Sequence, residues 1–172
     1  MGYNIKLVLC ICSLALILAR VSSATSRRDI RGFINEHNKA RAEVGVGPIK
    51  WNETIARYAQ NYANVRSWDC AMEHSMGPYG ENIASGEGMT GAAAVNTADL
   101  PRVKAVDRWE AEKVDYNYES NSCADGKMCG HYRQVVWNMI VRLGCAKVRC
   151  SSGGTFIGCN YDPPGNYQDE KP

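Results

Sequence analysis

Only His37, His74 and His131 of this 172-residue chain carry imidazoles, the group whose unperturbed titration lies between about pH 5 and 8. His131 stands in the aromatic and apolar run Gly130-His131-Tyr132-Arg133-Gln134-Val135-Val136-Trp137, and His74 is followed by Ser75. Two carboxylates keep them company: Glu81 in Gly80-Glu81-Asn82, and Glu112 three residues after Trp109. On a helix, an i, i+3 spacing puts Glu112 on the face of a large aromatic, where a carboxylate needs a proton, a partner or a metal. Neutral imidazoles with carboxylates nearby can ligate a divalent metal such as zinc, the glutamates either binding directly or orienting the rings. The same groups can instead form a hydrogen-bonded cluster that ties structural layers together, and both uses stay open.

A serine-hydrolase reading of His74-Ser75 has little behind it, because sequence neighbours rarely point at each other and a triad is a matter of geometry. Neither Gly-x-Ser-x-Gly nor His-Glu-x-x-His occurs. A metal-bound water activated by Glu81 or Glu112 is the minority, hydrolytic reading; the expectation is that the chain is not an enzyme.

Helices and strands must hold these groups in place. Ile30, Phe33, Ile34, His37 and Arg41 recur at helical spacing, with Asp29 as cap and Gly45, Gly47 and Pro48 as the stop. His37 lies on that apolar stripe and reads as a satisfied core residue. A second helix starts near Asn52 with the stripe Ile55, Tyr58, Ala59, Tyr62 and Ala63. Asn52-Glu53-Thr54 is a glycosylation sequon, but Asn52 also suits a helix cap, and the two uses can compete. Residues 76–91 are rich in Gly and read as a loop around Glu81. A third helix is expected from near Pro101 to Glu112, and a short one from His131 to Trp137. Leu143 to Arg149 and Thr155 to Tyr161, joined through Ser151-Ser152-Gly153-Gly154, read as a hairpin. Interleaved helices and strands without repeats or a long linker imply one α/β domain.

The chain opens with Lys6, an apolar run from Leu7 to Leu18, and small residues at Val21-Ser22-Ser23-Ala24. These are the parts of a secretory signal peptide over residues 1–24, and the run is short of the roughly 20 apolar residues a spanning helix needs. Cleavage removes Lys6 and Arg20 and no acid, so 20 basic residues become 18 against 18 acidic ones and formal charge falls from +2 to 0. No basic stripe remains for nucleic acid. Cleavage also takes Cys10 and Cys12 from the eight cysteines. The six left, Cys70, Cys123, Cys129, Cys145, Cys150 and Cys159, read as three disulfides in an oxidising compartment. Spacing permits 15 pairings, of which only Cys123 with Cys129 looks local.

These words, together with Leu143-Gly144-Cys145 and Cys159-Asn160-Tyr161-Asp162-Pro163-Pro164-Gly165-Asn166-Tyr167, resemble the plant pathogenesis-related class 1 proteins of the CAP superfamily, from about Ile30 to the C-terminus. The resemblance implies a three-layer α-β-α sandwich and disulfides Cys70–Cys150 and Cys145–Cys159. It implies that His74, Glu81, Glu112 and His131 face one cleft, where a divalent metal (zinc) can sit without being required. It associates Trp109, Tyr116 and Tyr118 with sterol binding, and the family with action against oomycetes and fungi. The expected protein is thus a secreted monomer of the apoplast, or of the vacuole, that takes a sterol or other lipid of a microbial membrane. The resemblance also implies a tail, Pro163 to Pro172, releasable after Asp162 as an immune signalling peptide; Pro163-Pro164-Gly165 suits an extended, protease-accessible segment. Two departures stand out. Arg133 replaces the Thr common in relatives and would disfavour a metal if it pointed into the cleft. The stretch Asn96 to Val106 looks long and could rotate Glu112.

Overall fold

Ser26 starts the first helix, α1 (Arg27–Glu43). Its hydroxyl accepts the Asp29 amide at 3.1 Å and donates to the Asp29 carboxylate at 2.6 Å. The cap is therefore Ser26; Asp29, expected there, sits in the first turn, where its charge suits the helix dipole. The computed structural model describes residues 25–86 and 102–172. The signal peptide expected over residues 1–24 and the segment 87–101 lie outside them.

After β1 (Lys50–Trp51), Asn52 caps α2 (Glu53–Arg66), its side-chain oxygen accepting from the amides of Thr54 and Ile55. Capping uses the side-chain oxygen, whereas a glycan would attach to the side-chain nitrogen. Next comes β2 (Gly80–Gly86), which replaces part of the expected loop and puts Glu81 on a strand. The third helix, α3 (Arg102–Ala111), stops one residue short of Glu112, which opens a 3-10 turn over Glu112–Asp115. Of the long-looking stretch 96–106, only its end from Arg102 is described, and it is already helical. A small ribbon, β3 (Tyr116–Asn117) with β4 (Ser122–Cys123), leads to α4 (Gly130–Val136) and the hairpin β5 (Arg142–Arg149) and β6 (Thr155–Asp162).

The main sheet has the order β1-β5-β6-β2, parallel only between β1 and β5. Alternation along the strands makes two cores. On one face, Ala146 and Phe156 pack with Ala59 and Ala63 of α2. Gly144 lets α2 approach, since a Cβ there would collide with the backbone of Ile55 and Ala56. On the other face, Leu143, Ile157 and Tyr161 meet Phe33 of α1, Trp109 of α3 and Val135 of α4. Helices thus cover both faces, the expected α-β-α sandwich. The disulfides are Cys70–Cys150, Cys123–Cys129 and Cys145–Cys159, the last joining residues directly opposite in β5 and β6.

Two polar side chains of α1 are wholly inside. Arg41, 1% exposed, donates to four carbonyls: Gly47, Val135, Trp137 and Ile140, at 2.7–3.0 Å. It closes the end of α1 onto the exit of α4. His37 donates from Nδ1 to Phe33 O at 2.7 Å, which leaves Nε2 to accept the Tyr161 hydroxyl at 2.8 Å. Burial lowers its pKa from 6.5 to about 4 against the Phe33 bond, so it is neutral in the fold at ordinary pH.

Arg41→Lys keeps the charge but not the fork of donors, and should lower unfolding free energy by about 2–4 kcal/mol in urea melts. For His37 the unfolded chain takes up a proton first. Stability should therefore fall by about 3 kcal/mol as pH drops from 6.5 towards 4. Urea midpoints flat across that window would contradict a buried neutral His37.

Candidate functional site

The four expected site residues come together as two pairs. Along β2, successive side chains point to opposite faces. Glu81 joins the α2 side, where its Oε1 accepts His74 Nδ1 at 2.9 Å and the Ser75 amide at 2.8 Å, and its Oε2 accepts the Asn160 amide at 3.1 Å. Tyr58 of α2 donates to the Ser75 hydroxyl at 3.0 Å. Glu81 is 6% exposed and His74 51% exposed, so an open ring is anchored to a buried acid. Burial pushes the Glu81 pKa up, but bonds from Ser75, His74 and Asn160 outweigh it and hold the carboxyl below its ordinary range. A cavity of about 270 Å3 opens here between His74, Ser75, Gly77, Tyr79 and Glu81.

The second pair lies on the other face. Cys129 precedes α4 without a side-chain cap. Glu112 supplies one from outside: its Oε2 accepts the amides of His131 and Tyr132 at 3.0 and 3.2 Å, while its Oε1 accepts His131 Nδ1 at 2.6 Å. The Trp109 ring stacks on His131 at 6.2 Å, so the i, i+3 expectation for Trp109 and Glu112 is met: both touch the same imidazole. Asn82, the residue after Glu81, donates to His131 O at 3.0 Å and to the Tyr161 hydroxyl at 3.2 Å. Asn82, Asn160 and Tyr161 were within the motif words, but no spacing rule singled them out.

The donor set can be weighed against an ion. Both carboxylates are occupied by protein donors on both oxygens, so they act as orienting groups. Each ring gives its Nδ1 proton to a glutamate, which leaves Nε2 as the lone pair. Among the described residues no group of three or more His, Cys, Asp or Glu side chains is arranged to hold a metal. Two imidazole nitrogens fall short of the three or four protein ligands of a resident zinc. The described residues do not fit such a group.

The aromatic residues divide differently. Trp109 is 2% exposed and donates from Nε1 to Ile83 O at 3.3 Å, which makes it a core residue. Tyr116 and Tyr118 instead line a cavity of about 400 Å3 with Val44, Val46, Tyr132 and Val136, where Lys113, Asn138 and Pro172 complete the wall. Val44 and Val46 flank Gly45, whose φ of +73° turns the chain after α1. Apolar residues left beside a turn were the signal available for them.

Arg133 does not enter the cleft. Its guanidinium donates to the carbonyls of Tyr167 and Glu170 at 3.0 and 2.8 Å. These bonds tie the tail to α4, and on the other side of the Asp162–Pro163 bond Asp162 closes β6, its carbonyl accepting Val141 N and its carboxylate on Arg142.

The profile of the cysteine-rich secretory protein family (CAP) matches residues 34–161. The chain is 51% identical over 158 residues to pathogenesis-related protein 1 of Arabidopsis thaliana, covering 92% of this chain and 91% of that one. It is 53% identical over 158 residues to pathogenesis-related protein 1A1 of Solanum lycopersicum, covering 92% and 83%. Among solved structures, venom allergen-like protein 4 of Schistosoma mansoni superposes with a TM-score of 0.63 at 26% identity, over 86% of this chain and 94% of that one. NaASP2 with Zn2+ superposes at 0.66 and 21% identity, over 87% and 86%, a likeness of fold alone.

Glu112→Gln tests the bonding described for the second pair. The new amide keeps its oxygen on the two backbone donors, turns its NH2 to the imidazole, and forces the His131 proton from Nδ1 to Nε2. Nitrogen NMR should show that tautomer change, with about 1–2 kcal/mol of stability lost as a charged acceptor becomes neutral. An unchanged tautomer would mean that Glu112 does not set it.

Proposed function

The chain belongs to the cysteine-rich secretory protein family, and from that premise we infer that it is a secreted plant pathogenesis-related defence protein that takes a sterol-like lipid from a microbial membrane. The carrying observation is the cavity of about 400 Å3 lined by Val44, Val46, Tyr116, Tyr118, Tyr132 and Val136. Its walls are apolar and aromatic, with Lys113 and Asn138 as polar points. A rigid hydrocarbon with a single hydroxyl matches that chemistry. Withdrawing such a lipid from a fungal or oomycete membrane is the defence action we assign. The leader and the three disulfides support export, to the apoplast or the vacuole, and the protein acts as a monomer. No helix among the described residues is long and apolar enough to cross a membrane.

A metal-dependent hydrolase draws less support. Both glutamates that would activate a water are tied up as acceptors for imidazole, amide and side-chain donors.

Titration of the mature protein with a fluorescent ergosterol analogue tests the lipid reading. Saturable binding is expected, indifferent to a chelator and weakened about five- to tenfold by Tyr118→Ala, the value of one aromatic contact. Absence of saturation in the unaltered protein would remove the reading.

A further inference from the structure

The segment after β6 runs beside the cavity just described and ends on its wall. Gly165 lies against Trp137, where a Cβ would come within 2.5 Å of the ring, and Tyr167 meets the same indole edge-on at 6.0 Å. Arg133 of α4 reaches up with two bonds, to the carbonyls of Tyr167 and Glu170. From the opposite wall, Asn121 in the β3–β4 turn donates to the same Glu170 carbonyl at 3.0 Å, while its oxygen accepts the Tyr116 hydroxyl at 2.8 Å. Lys171 then bonds Glu119 O at 3.0 Å and sets its ammonium 4.9 Å from the centre of the Tyr118 ring. Pro172 ends on the cavity wall.

We propose that residues 163–172 form a strap that closes the Tyr116–Tyr118 cavity, with Arg133 as its latch. The strap ties α4 to the β3–β4 ribbon, and these two elements carry Tyr132, Val136 and Tyr116 of the cavity wall. An ammonium over Tyr118 occupies the face on which an apolar ring would stack. The holding bonds run mostly to backbone carbonyls at exposed positions, where water replaces them readily, so they restrain the strap without locking it. Entry of a ligand requires the strap to lift. This inference rests on the lipid reading for what enters, and on the contacts alone for what closes.

The test uses the full mature chain, with Arg133→Ala and, as a variant at an exposed position with no part in the core, Lys171→Ala. Hydrogen exchange of amides 165–171 should quicken at least tenfold in Arg133→Ala. The fluorescent ergosterol analogue should associate at least threefold faster with both variants in stopped flow. An association rate that is unchanged or slower, with the tail exchanging faster, overturns the strap. If no form binds the sterol, the lipid reading fails on its own, and nitration of Tyr118 decides the strap. Faster nitration in both variants upholds it, and equal rates overturn it.

Discussion

A single buried line of hydrogen bonds holds the layers in register. It runs from Phe33 O through His37 to the Tyr161 hydroxyl, then through the Asn82 amide to His131 O. Helix α1, strands β6 and β2, and helix α4 each contribute one link. A polar atom buried without a partner costs more than its bond returns, so the elements cannot slide without breaking the line. Trp109 closes around it, its ring edge-on to His37 at 6.3 Å and stacked on His131. Burial raises the Tyr161 pKa, which keeps its proton available for His37. The imidazole at the surface is thus positioned by one in the core.

Within that frame each His–Glu pair also ties elements of the fold together. Glu112 is first a cap for a helix that has none of its own, and the imidazole bond comes with it. Glu81 fastens the segment after α2 to edge strand β2. The Cys70–Cys150 bridge fastens the same segment to the end of β5. The cavity proposed for the lipid lies elsewhere, lined from the segment around Tyr116 and the end of α1.

The helices and the terminal hairpin were legible because apolar residues recur at 3.6 or at 2, and the local disulfide because its cysteines stand only six positions apart. Strand β2 was not, since Glu81, Asn82, Ala84 and Ser85 between two glycines show neither alternation nor β-branched enrichment. The cap at Ser26 was missed because Asp29, three residues on, satisfies the same rule. Arg133 and Arg41 act on backbone carbonyls, which every residue has, so no partner is visible in the sequence. For the same reason the contacts that hold the Pro-Pro-Gly tail are not visible in its own residues. Convergence of the four site residues was implied by the family likeness; the fold shows His74 bonded to Glu81 and His131 bonded to Glu112.

The most direct measurement is a crystal structure of the mature protein grown with ergosterol. The account requires the sterol rings between Tyr118 and Val46, the hydroxyl at Lys113 or Asn138, and the tail displaced from Tyr118. Sterol density at His74 or His131, with the Tyr116–Tyr118 cavity filled only by water, would contradict it.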